Sequence, residues 1–430
     1  MFHIDKARFA ACKAVLDIYQ NSAYSNIALA NALRSDKLTN IDRRFTTELV
    51  YGTVKLGKSL DWIISKFLTR PLKDVDPKIL AILRISFYQI FFLDRVPNFA
   101  SINESVQIAK NISIPASKFV NAVLRSATRN PEKATFPSDD SPASISLSTY
   151  HPKWLIKRWI NLFGVDLTKK ICNVDNSSPP LTLRINSLKV DKSNFLSLLD
   201  KLNINYTTSK LVDEAVICQD VGELDNFCLL QDGLCQVQDE SSMLAVHALD
   251  PQPGEFVIDA CAAPGGKSTH IAQLMNNRGH ILSCDLHEHK LKLLDDNVER
   301  LGINIIESKL LDARKLGTKF KNTADRVLVD APCSGLGVLR RKADLRWAKK
   351  PQDIASLPQL QLDILKSVSA ALKPGGTLVY STCTLEPNEN QGVVEQFLSS
   401  FPNFKLISQN TLLPHLNGCD GFFISKLLKS

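Results

Sequence analysis

Through the first third of the chain, apolar residues recur every three or four positions, as they do on one face of a helix. Ala10, Val15, Ile18 and Tyr19 form the first such series. The same spacing predicts further helices near residues 25–34, 40–56, 58–68, 77–92, 100–111 and 115–129. Because no convincing strand alternation interrupts them, residues 1–135 are predicted to form an all-α domain.

Two of these helices carry polar residues where a capped start is expected. Asp36 or Asn40 stands at the start of the helix near residues 40–56, and Ser101 precedes Glu104 by three positions. A hydroxyl followed three residues later by a carboxylate is the pattern of a capping box. We therefore predict that Ser101 is an N-cap.

After this domain the pattern changes twice. Residues 136–150 are rich in Pro, Ser and Asp and are predicted to be a linker. Residues 151–235 then combine a helix from Pro152 to Leu162, an alternating strand over 179–186 and a helix near 191–202. This mixture predicts a small α+β module.

From residue 236 to residue 430, strands and helices alternate. Strands are predicted near 256–260, 280–285, 304–308, 325–330, 376–381, 403–407 and 421–427, and helices near 266–276, 288–301, 353–372 and 389–400. Such alternation indicates an open, mainly parallel, Rossmann-like sheet with helices on both faces, whose ligands bind outside the carboxyl ends of the strands. The polar motifs fall at those ends: Cys261–Lys267, Asp285, Asp312, Asp330–Gly335 and Ser381–Thr384.

The first of these strands leads into a turn suited to a nucleoside ligand. Glycines let the backbone approach a ligand closely, and the free N–H groups of a starting helix suit an anion or carboxylate. A phosphate loop would need a glycine five residues before Gly266-Lys267, but Cys261 stands there, and the G-x-G-x-x-G fingerprint is absent. Asp285, at the end of the second strand, is placed to accept hydrogen bonds from a ribose. We therefore predict an adenosine ligand other than ATP or NAD.

Two cysteines follow neighbouring strands. Cys333 lies in the loop Asp330-Ala331-Pro332-Cys333-Ser334-Gly335, and Cys383 lies in Ser381-Thr382-Cys383-Thr384. Adjacent strand ends should bring both thiols into one cleft. Two thiols in that position favour covalent chemistry over coincidence.

Composition narrows the class of protein. Apolar residues make up 44% of the chain and charged residues 22%, as in an ordinary globular protein. We find no apolar run of membrane-spanning length and no secretory signal, which predicts a cytoplasmic protein. The ten cysteines, from Cys12 to Cys419, include no C-x-x-C pair, so reduced thiols and no metal site are expected.

The net charge of +8 is unevenly distributed. Residues 1–135 carry 20 Lys and Arg against 11 Asp and Glu, so the remainder of the chain is nearly neutral. A basic domain indicates a polyanionic partner, although solvated helix faces are the plainer alternative. A basic loop with one aromatic side chain adds to this, because charge and a ring suit phosphate contact and base stacking. Its members are Arg340, Arg341, Lys342, Arg346, Trp347, Lys349 and Lys350. Arg184 and Asn186 could also contact RNA phosphate, and an ordinary surface role fits them equally well.

These motifs together resemble a known family. The helical domain resembles the NusB-like RNA-binding fold, including the stretches 42–45 and 49–52. The strand-end motifs around Cys333 and Cys383 resemble those of RNA cytosine-5 methyltransferases, and the domain order is similar to the bacterial 16S rRNA enzymes over nearly the whole chain. One departure is Lys342-Ala343, where the family usually has His-Pro; it affects loop contacts to RNA and leaves the chemistry intact.

The resemblance implies S-adenosylmethionine as cofactor. It implies that the cofactor is bound by Cys261, Ala262, Ala263, Pro264, Gly265, Gly266 and Lys267, with Asp285, Asp312 and Asp330. It also implies that Cys383 is the nucleophile and that Cys333 assists its release. On chemical grounds, a positive charge such as Lys267 would help Cys383 to ionise, and Asp330 would hold the N3 edge of a cytosine.

The resemblance further implies cytosine 967 of 16S rRNA as the target. We expect the rRNA to be naked or early in assembly and the enzyme to be a monomer. Three alternatives stay open from the residues alone. The substrate could be another rRNA or a tRNA. A DNA cytosine-5 methyltransferase would use the Pro-Cys cysteine as its nucleophile. A NusB-like RNA-binding scaffold would have no activity.

Overall fold

The computed structural model describes residues 5–34, 38–219, 221–222 and 224–430. The chain divides into two compact units. The helical unit comprises Met1–Ser177 and Leu339–Ala348, and the sheet unit comprises Ser178–Val338 and Lys349–Ser430. Within the described ranges, no helix combines the length and the apolar character needed to cross a bilayer.

The helices of the described residues, in chain order, are α1 (Lys6–Asn21), α2 (Ser25–Leu33), α3 (Asn40–Ser65), α4 (Pro77–Phe92), α5 (Asn98–Lys110), α6 (Ile114–Arg129), α7 (Pro142–Ser148), α8 (Lys153–Phe163), α9 (Val165–Asn176), α10 (Lys192–Lys201), α11 (Cys228–Gln231), α12 (Glu240–Leu249), α13 (Gly266–Leu274), α14 (Glu288–Leu301), α15 (Leu316–Lys319), α16 (Leu345–Ala348), α17 (Pro351–Ala355), α18 (Leu357–Ala371), α19 (Gln391–Ser400) and α20 (Pro414–Asn417). The strands are β1 (Leu181–Ile185), β2 (Tyr206–Thr208), β3 (Ala215–Cys218), β4 (Cys235–Val237), β5 (Phe256–Asp259), β6 (His280–Asp285), β7 (Ile306–Leu310), β8 (Ala324–Asp330), β9 (Leu372–Thr382), β10 (Phe404–Leu412) and β11 (Phe422–Lys429).

Helix α4 forms the centre of the helical unit. All its residues from Ile79 to Gln89 are buried, and α1, α3, α5 and α6 pack around it. A helix that is apolar on all sides belongs in the interior, and burying each large aliphatic or aromatic side chain contributes about 1.5–3 kcal/mol. The helical periodicity of the sequence therefore predicts this unit well.

The start of α3 is set by a capping box at Thr39, one residue before the predicted cap Asn40. Thr39 is the N-cap: its hydroxyl accepts a hydrogen bond from the Asp42 N–H, and the Asp42 carboxylate accepts one from the Thr39 N–H. Asn40 is the first helical residue, so its prediction as a cap is wrong. Asp36 lies outside the described residues.

The N-cap predicted at Ser101 is also wrong. Helix α5 begins at Asn98, with Pro97 as its N-cap, so Ser101 lies inside the helix and is fully buried. Glu104 accepts a hydrogen bond from the Asp5 N–H at 3.4 Å and so does not complete a capping box. Proline lacks an N–H to lose at a helix start, which explains why this helix begins earlier than the Ser-Glu pattern indicates.

Helix α3 is interrupted at Gly57, where the predicted helices 40–56 and 58–68 meet. Gly57 has φ 47° and ψ −120°, a conformation that L side chains rarely adopt. A Cβ there would lie 2.3 Å from the indole ring of Trp347, whose Nε1 donates to the Lys55 carbonyl at 3.2 Å. The break therefore makes room for a tryptophan from the basic loop.

Arg346 in the same loop is completely buried within the helical unit. Its guanidinium donates to the carbonyl of Tyr150 at 3.2 Å, to Asn176 Oδ1 at 2.8 Å and to the carbonyl of Asp175 at 3.1 Å. The prediction that Arg346 contacts RNA is therefore wrong, because its side chain is buried and bonded within the helical unit. Trp347 is only partly buried, so base stacking on it stays a prediction. Arg340 is also buried, whereas Lys342 and Lys350 are exposed.

The stretch predicted as a linker contains a helix. Residues 136–150 include α7, which starts with Ser141 as N-cap and a proline in its first turn. The helical unit extends past this stretch to Ser177, so α8 and α9 belong to it. Proline and serine at a helix start favour the helix, and composition alone misreads them as a sign of irregular structure.

The large sheet of the sheet unit has the strand order β10-β11-β9-β8-β5-β6-β7. The five strands from β9 to β7 are parallel, and β11 and β10 pair antiparallel at one edge. One buried cluster packs α18 and α19 against the sheet, and another packs α12 and α13 against it. This is the predicted open, mainly parallel sheet, with an antiparallel edge.

A second, four-stranded antiparallel sheet has the order β2-β3-β1-β4. Its central strand β1 carries Arg184 and Asn186 at its end, and both are buried, with 1% and 2% exposure. Asn186 donates to the carbonyls of Gly233 and Leu301. Neither residue is available to RNA phosphate, and neither has the surface role that was the alternative.

We predict that Arg346→Met destabilises the helical unit by about 3 kcal/mol, because three buried or partly buried acceptors lose their donor. All four tryptophans of the chain, at 62, 154, 159 and 347, belong to this unit. Urea unfolding followed by tryptophan fluorescence therefore reports on it selectively. Lys342→Met, which removes an exposed charge from the same loop, should leave the midpoint unchanged. Equal midpoints for the two variants would contradict this account.

Candidate active site

The predicted site residues gather at one edge of the large sheet. The strands β9, β8, β5, β6 and β7 are parallel neighbours, so their carboxyl ends lie side by side. The residues that follow or end these strands are Cys383, Asp330, Cys261, Asp285 and Asp312. The alternation of strands and helices thus explains why residues up to 122 positions apart in the chain share one cleft.

The turn after β5 is held by its backbone. The N–H of Ala262 donates to the carbonyl of Cys284 at 2.8 Å, and the N–H of Gly265 donates to the carbonyl of Ala262 at 2.8 Å. Gly265 has φ 97°, and a Cβ on it would lie 2.8 Å from the Leu294 side chain. A side chain at this position would therefore push apart the turn and α14, and α13 begins immediately after it.

A cleft of about 270 Å³ opens beside this turn. Five of the predicted cofactor residues line it: Cys261, Ala263, Asp285, Asp312 and Asp330. The other predicted residues, Ala262, Pro264, Gly265, Gly266 and Lys267, form the turn and the start of α13 and do not line it. Leu286, Leu311, Leu360 and Ile364, which sequence reasoning missed, supply apolar walls. Acids among apolar walls suit a ligand with a polar sugar and a flat apolar ring.

The two outer acids of the cleft differ in how their carboxylates are occupied. Asp285 accepts from the backbone N–H of Ala263 at 3.3 Å and of His287 at 3.0 Å. Asp312 forms an ion pair with Arg314 at 2.7 Å, and the hydrogen bond from Arg314 lowers the pKa of Asp312. Asp285 is therefore held by backbone groups alone, while Asp312 already has a cationic partner.

Lys267 and Asp330 form an ion pair at the centre of the site. The Lys267 Nζ lies 2.6 Å from Asp330 Oδ2, and the Ser381 hydroxyl donates to Asp330 Oδ1 at 3.0 Å. Burial alone would lower the pKa of Lys267, but the charge of Asp330 and its hydrogen bond, helped by Asp259 and Cys383, raise it. A protonated lysine therefore stands beside the Cys383 thiol.

The two predicted thiols are neighbours. The Cys333 Sγ lies 3.3 Å from the Cys383 Sγ, at the ends of β8 and β9. The hydrogen bond to Cys383 and then burial raise the pKa of Cys333 well above its usual value. Cys333 is thus the sulfur that keeps its proton, and it can donate that proton to Cys383.

A buried carboxyl that sequence reasoning missed supports the Cys333 loop. Glu389 Oε2 accepts from the Ser334 N–H at 2.9 Å and from Gln361 Nε2 at 3.0 Å, and Gln361 also donates to the Pro332 carbonyl. Burial raises the pKa of Glu389. Pro332 and Ser334 flank Cys333 in the chain, so Glu389 and Gln361 together fix the position of that thiol. No local sequence signal indicates a partner 55 residues away.

Arg184 has a supporting role of the same kind. Its guanidinium donates to the Gly266 carbonyl at 2.7 Å and to the Thr269 hydroxyl at 3.0 Å, and it also bonds Gln238. These contacts join the end of β1 to the first turn of α13. Arg184, for which an RNA contact was one of the two predictions, therefore stabilises the turn beside the cleft.

Two imidazoles share a carboxylate elsewhere in the sheet unit. The Nε2 atoms of His247 and His270 each lie 2.7 Å from Glu214 Oε1, the only such group of potential metal ligands among the described residues. The Nδ1 atom of the buried His270 has no hydrogen-bond partner, although a metal-bound histidine usually donates its second N–H. The arrangement fits two N–H donors on one carboxylate oxygen, and the expected absence of a metal stays a prediction.

Comparisons with known proteins agree with this architecture. The "NusB family" matches residues 5–129, the "Methyltr_RsmF/B-like, ferredoxin-like domain" matches 151–223, and "16S rRNA methyltransferase RsmB/F" matches 246–428. "Probable ribosomal RNA small subunit methyltransferase B" from Bacillus subtilis is 41% identical, with 98% of each chain covered. "Ribosomal RNA small subunit methyltransferase B" from Pseudomonas syringae pv. tomato is 32% identical over 98% of this chain and 96% of the relative. The crystal structure of PH0851 covers both chains fully, with 27% identity and a TM-score of 0.84.

The NusB-like helical domain, the ferredoxin-like module and the Rossmann-like sheet confirm the predicted fold class. Together with the matching family models they show that the protein is a methyltransferase. The full-length relatives show to which methyltransferase family the chain belongs. The chain belongs to the RsmB/F family of 16S rRNA methyltransferases.

Asp259, the last residue of β5, makes the stability of the folded protein depend on pH. Asp259 is fully buried, one of its oxygens accepts from Ser268 at 2.7 Å, and the other has no partner in the described residues. Burial raises the pKa of Asp259 to about 7. Between about pH 4 and pH 7 the folded protein therefore holds a proton that the unfolded chain releases, so stability falls as the pH rises through this window.

We predict that Asp259→Asn removes this part of the pH dependence, because the amide mimics the protonated acid. In calorimetric melting from pH 4 to pH 7, the wild type should lose stability relative to the variant and then keep a constant difference above pH 7. Asp296→Asn, an exposed change of equal charge on α14, is the matched control. A difference between wild type and Asp259→Asn that does not vary with pH would contradict the assignment.

Proposed function

We propose that this enzyme transfers a methyl group from S-adenosylmethionine to C5 of a cytosine in 16S rRNA, through a covalent bond between Cys383 and C6. The observation that carries the proposal is the pair of thiols at 3.3 Å beside the Lys267–Asp330 ion pair. The names of the relatives support rRNA of the small subunit as the substrate. Cytosine 967, naked or early-assembly rRNA and a monomeric, cytoplasmic enzyme are the finer parts of this proposal.

The cleft beside the β5 turn fits the cofactor. Asp285 stands at the end of β6 with backbone groups as its only hydrogen-bond donors in the described residues, which suits a carboxylate that accepts from a ribose. The apolar walls suit an adenine ring. When bound there, S-adenosylmethionine supplies an electrophilic methyl group. Asp312 already pairs with Arg314. We therefore propose that Asp312 helps to orient the adenine ring by lining the part of the cleft where that ring would bind.

Cytosine C5 is too weak a nucleophile to take a methyl group unaided. The Cys383 thiolate activates it by adding to C6. The Cys383 thiol gives up a proton and N3 gains one as the sulfur bonds to C6, and the electron pair displaced from the C5–C6 double bond makes C5 nucleophilic; N3 returns its proton when the thiolate leaves. Lys267, kept protonated by Asp330, stabilises the thiolate before it attacks. Asp330, on the cleft wall, accepts from the protonated N3 edge.

Release reverses this addition. After C5 takes the methyl group, a base removes the C5 proton, the C5–C6 double bond reforms, and the sulfur of Cys383 leaves with the electron pair of its bond. The Cys333 thiol, which keeps its proton, donates a hydrogen bond to the departing sulfur. Glu389 holds the loop that places this thiol.

We predict opposite behaviour for the two cysteine variants. Cys383→Ala should form no adduct with 16S rRNA and transfer no methyl group. Cys333→Ala should accumulate a protein–RNA adduct, because it methylates but releases slowly. Denaturing gels and labelled cofactor measure both, and Cys228→Ala, an exposed thiol elsewhere in the sheet unit, is the control. The DNA-type mechanism requires the reverse pattern, and bisulfite mapping of the product tests cytosine 967.

We predict that Asp285→Asn weakens S-adenosylmethionine binding roughly 10- to 100-fold, as expected for the loss of hydrogen bonds to a charged group. Asp312→Asn should have a smaller effect, because Arg314 already occupies that carboxylate. Calorimetric titration measures both, with Asp296→Asn as the control. Absence of binding heat with the wild type at any concentration would favour the non-enzymatic scaffold.

A further inference from the structure

An open groove of about 620 Å³ is lined by α5 and α6 of the helical unit. Its cationic lining is Lys110, Lys118, Arg125 and Arg129, and its amide lining is Asn98, Asn103, Gln107 and Asn121. Among the described residues that line it, none is acidic. Part of the excess positive charge of residues 1–135 therefore lines this groove.

The cations form a row along α6. Lys118, Arg125 and Arg129 are separated by seven and four residues, so they share one helix face and rise about 10 Å and 6 Å along its axis. A row about 16 Å long suits an extended polyanion better than a single small anion. All three side chains are exposed.

The opposite wall adds groups that a phosphate does not need. Phe99, at the start of α5, is 76% exposed, although a large apolar side chain gains by burial. The exposed amide side chains of Asn98 and Asn103 line the same wall. An open ring and exposed amides match the face and the edge of a nucleobase.

We propose that this groove binds a single-stranded segment of the RNA substrate, with phosphates along the α6 cations and a base stacked on Phe99. The proposal rests on the proposed function for its class of nucleic acid. The volume lies within the roughly 300–1,000 Å³ of sites that hold a ligand of nucleotide size. An acidic peptide would use the cations but leave the ring and the amides without partners, so it is the competing outcome of the test.

The test of the phosphate contacts is equilibrium binding of a labelled, unstructured 16S rRNA fragment to the full chain, by fluorescence anisotropy over a salt series. The double variant Lys118→Glu with Arg129→Glu should bind at least tenfold more weakly. Its plot of log affinity against log salt should lose about 1.4 in slope, at about 0.7 for each phosphate of a single strand. The double variant Lys73→Glu with Lys78→Glu, which changes the same charge at exposed positions outside the groove, should bind within about threefold of the wild type.

Phe99→Ala tests the stacking contact separately. It should weaken binding roughly 5- to 150-fold, the range that 1–3 kcal/mol of base–aromatic stacking represents, with an unchanged salt slope. Phe99→Trp should retain binding. S-adenosylmethionine titration should match the wild type in all of these variants, because none of the changed residues lines the cleft. The thermal midpoint should match as well, because the changed side chains are exposed.

Each result decides the matter. Equal losses in the two charge-reversal variants would show a general effect of net charge and overturn the proposal. Binding by Phe99→Ala within twofold of the wild type, or displacement of RNA by polyglutamate with the same dependence on Lys118 and Arg129, would also overturn it. These are binding measurements. A wild type that binds RNA in the groove but transfers no methyl group would refute the proposed function and leave this inference standing.

Discussion

The parallel pairing of β8 with β9 is the constraint on which the site depends. Their register places Asp330 opposite Ser381, so the residues that follow the two strands must leave the sheet at the same point. Cys333 comes three residues after Asp330, and Cys383 comes two residues after Ser381. A backbone hydrogen bond from Gly337 to the Cys383 carbonyl then closes the two loops on each other. A shift of one residue would turn one of the thiols away from the cleft.

This geometry needs a polar layer beneath it, and the layer is costly unless every group has a partner. Glu389 and Arg184 are buried, and each receives or donates hydrogen bonds to backbone atoms of the loops that they hold. A buried polar group without a partner costs about 1–3 kcal/mol, so these contacts define one loop conformation among many. Some atoms of this layer stay unpaired, among them Glu389 Oε1, Arg184 Nε and one oxygen of Asp259, whose pKa burial raises to about 7. Strain of that kind is common where a fold supports chemistry.

The sequence predicts the architecture and the strand-end motifs well because both depend on local patterns. Helical spacing finds α4 and α6, and alternation places the thiols and acids at one edge of the sheet. The sequence fails at Arg184 and Arg346, which their charge assigns to the surface. Both are held by acceptors distant in the chain, and hydropathy carries no information about such partners. Ser101 fails for a nearer reason: Pro97 starts the helix first.

On the proposed function, the uneven charge of the chain follows from what the two units would bind. Attraction to phosphate requires cations such as those along α6. The cleft would instead use the carboxylates of Asp285 and Asp330 for a ribose and a base edge, and such groups repel phosphate. Within one small surface the two potentials would cancel, since charges 10 Å apart still interact at physiological ionic strength. Cations on the helical unit would therefore attract RNA without weakening the selectivity of the cleft for a neutral base.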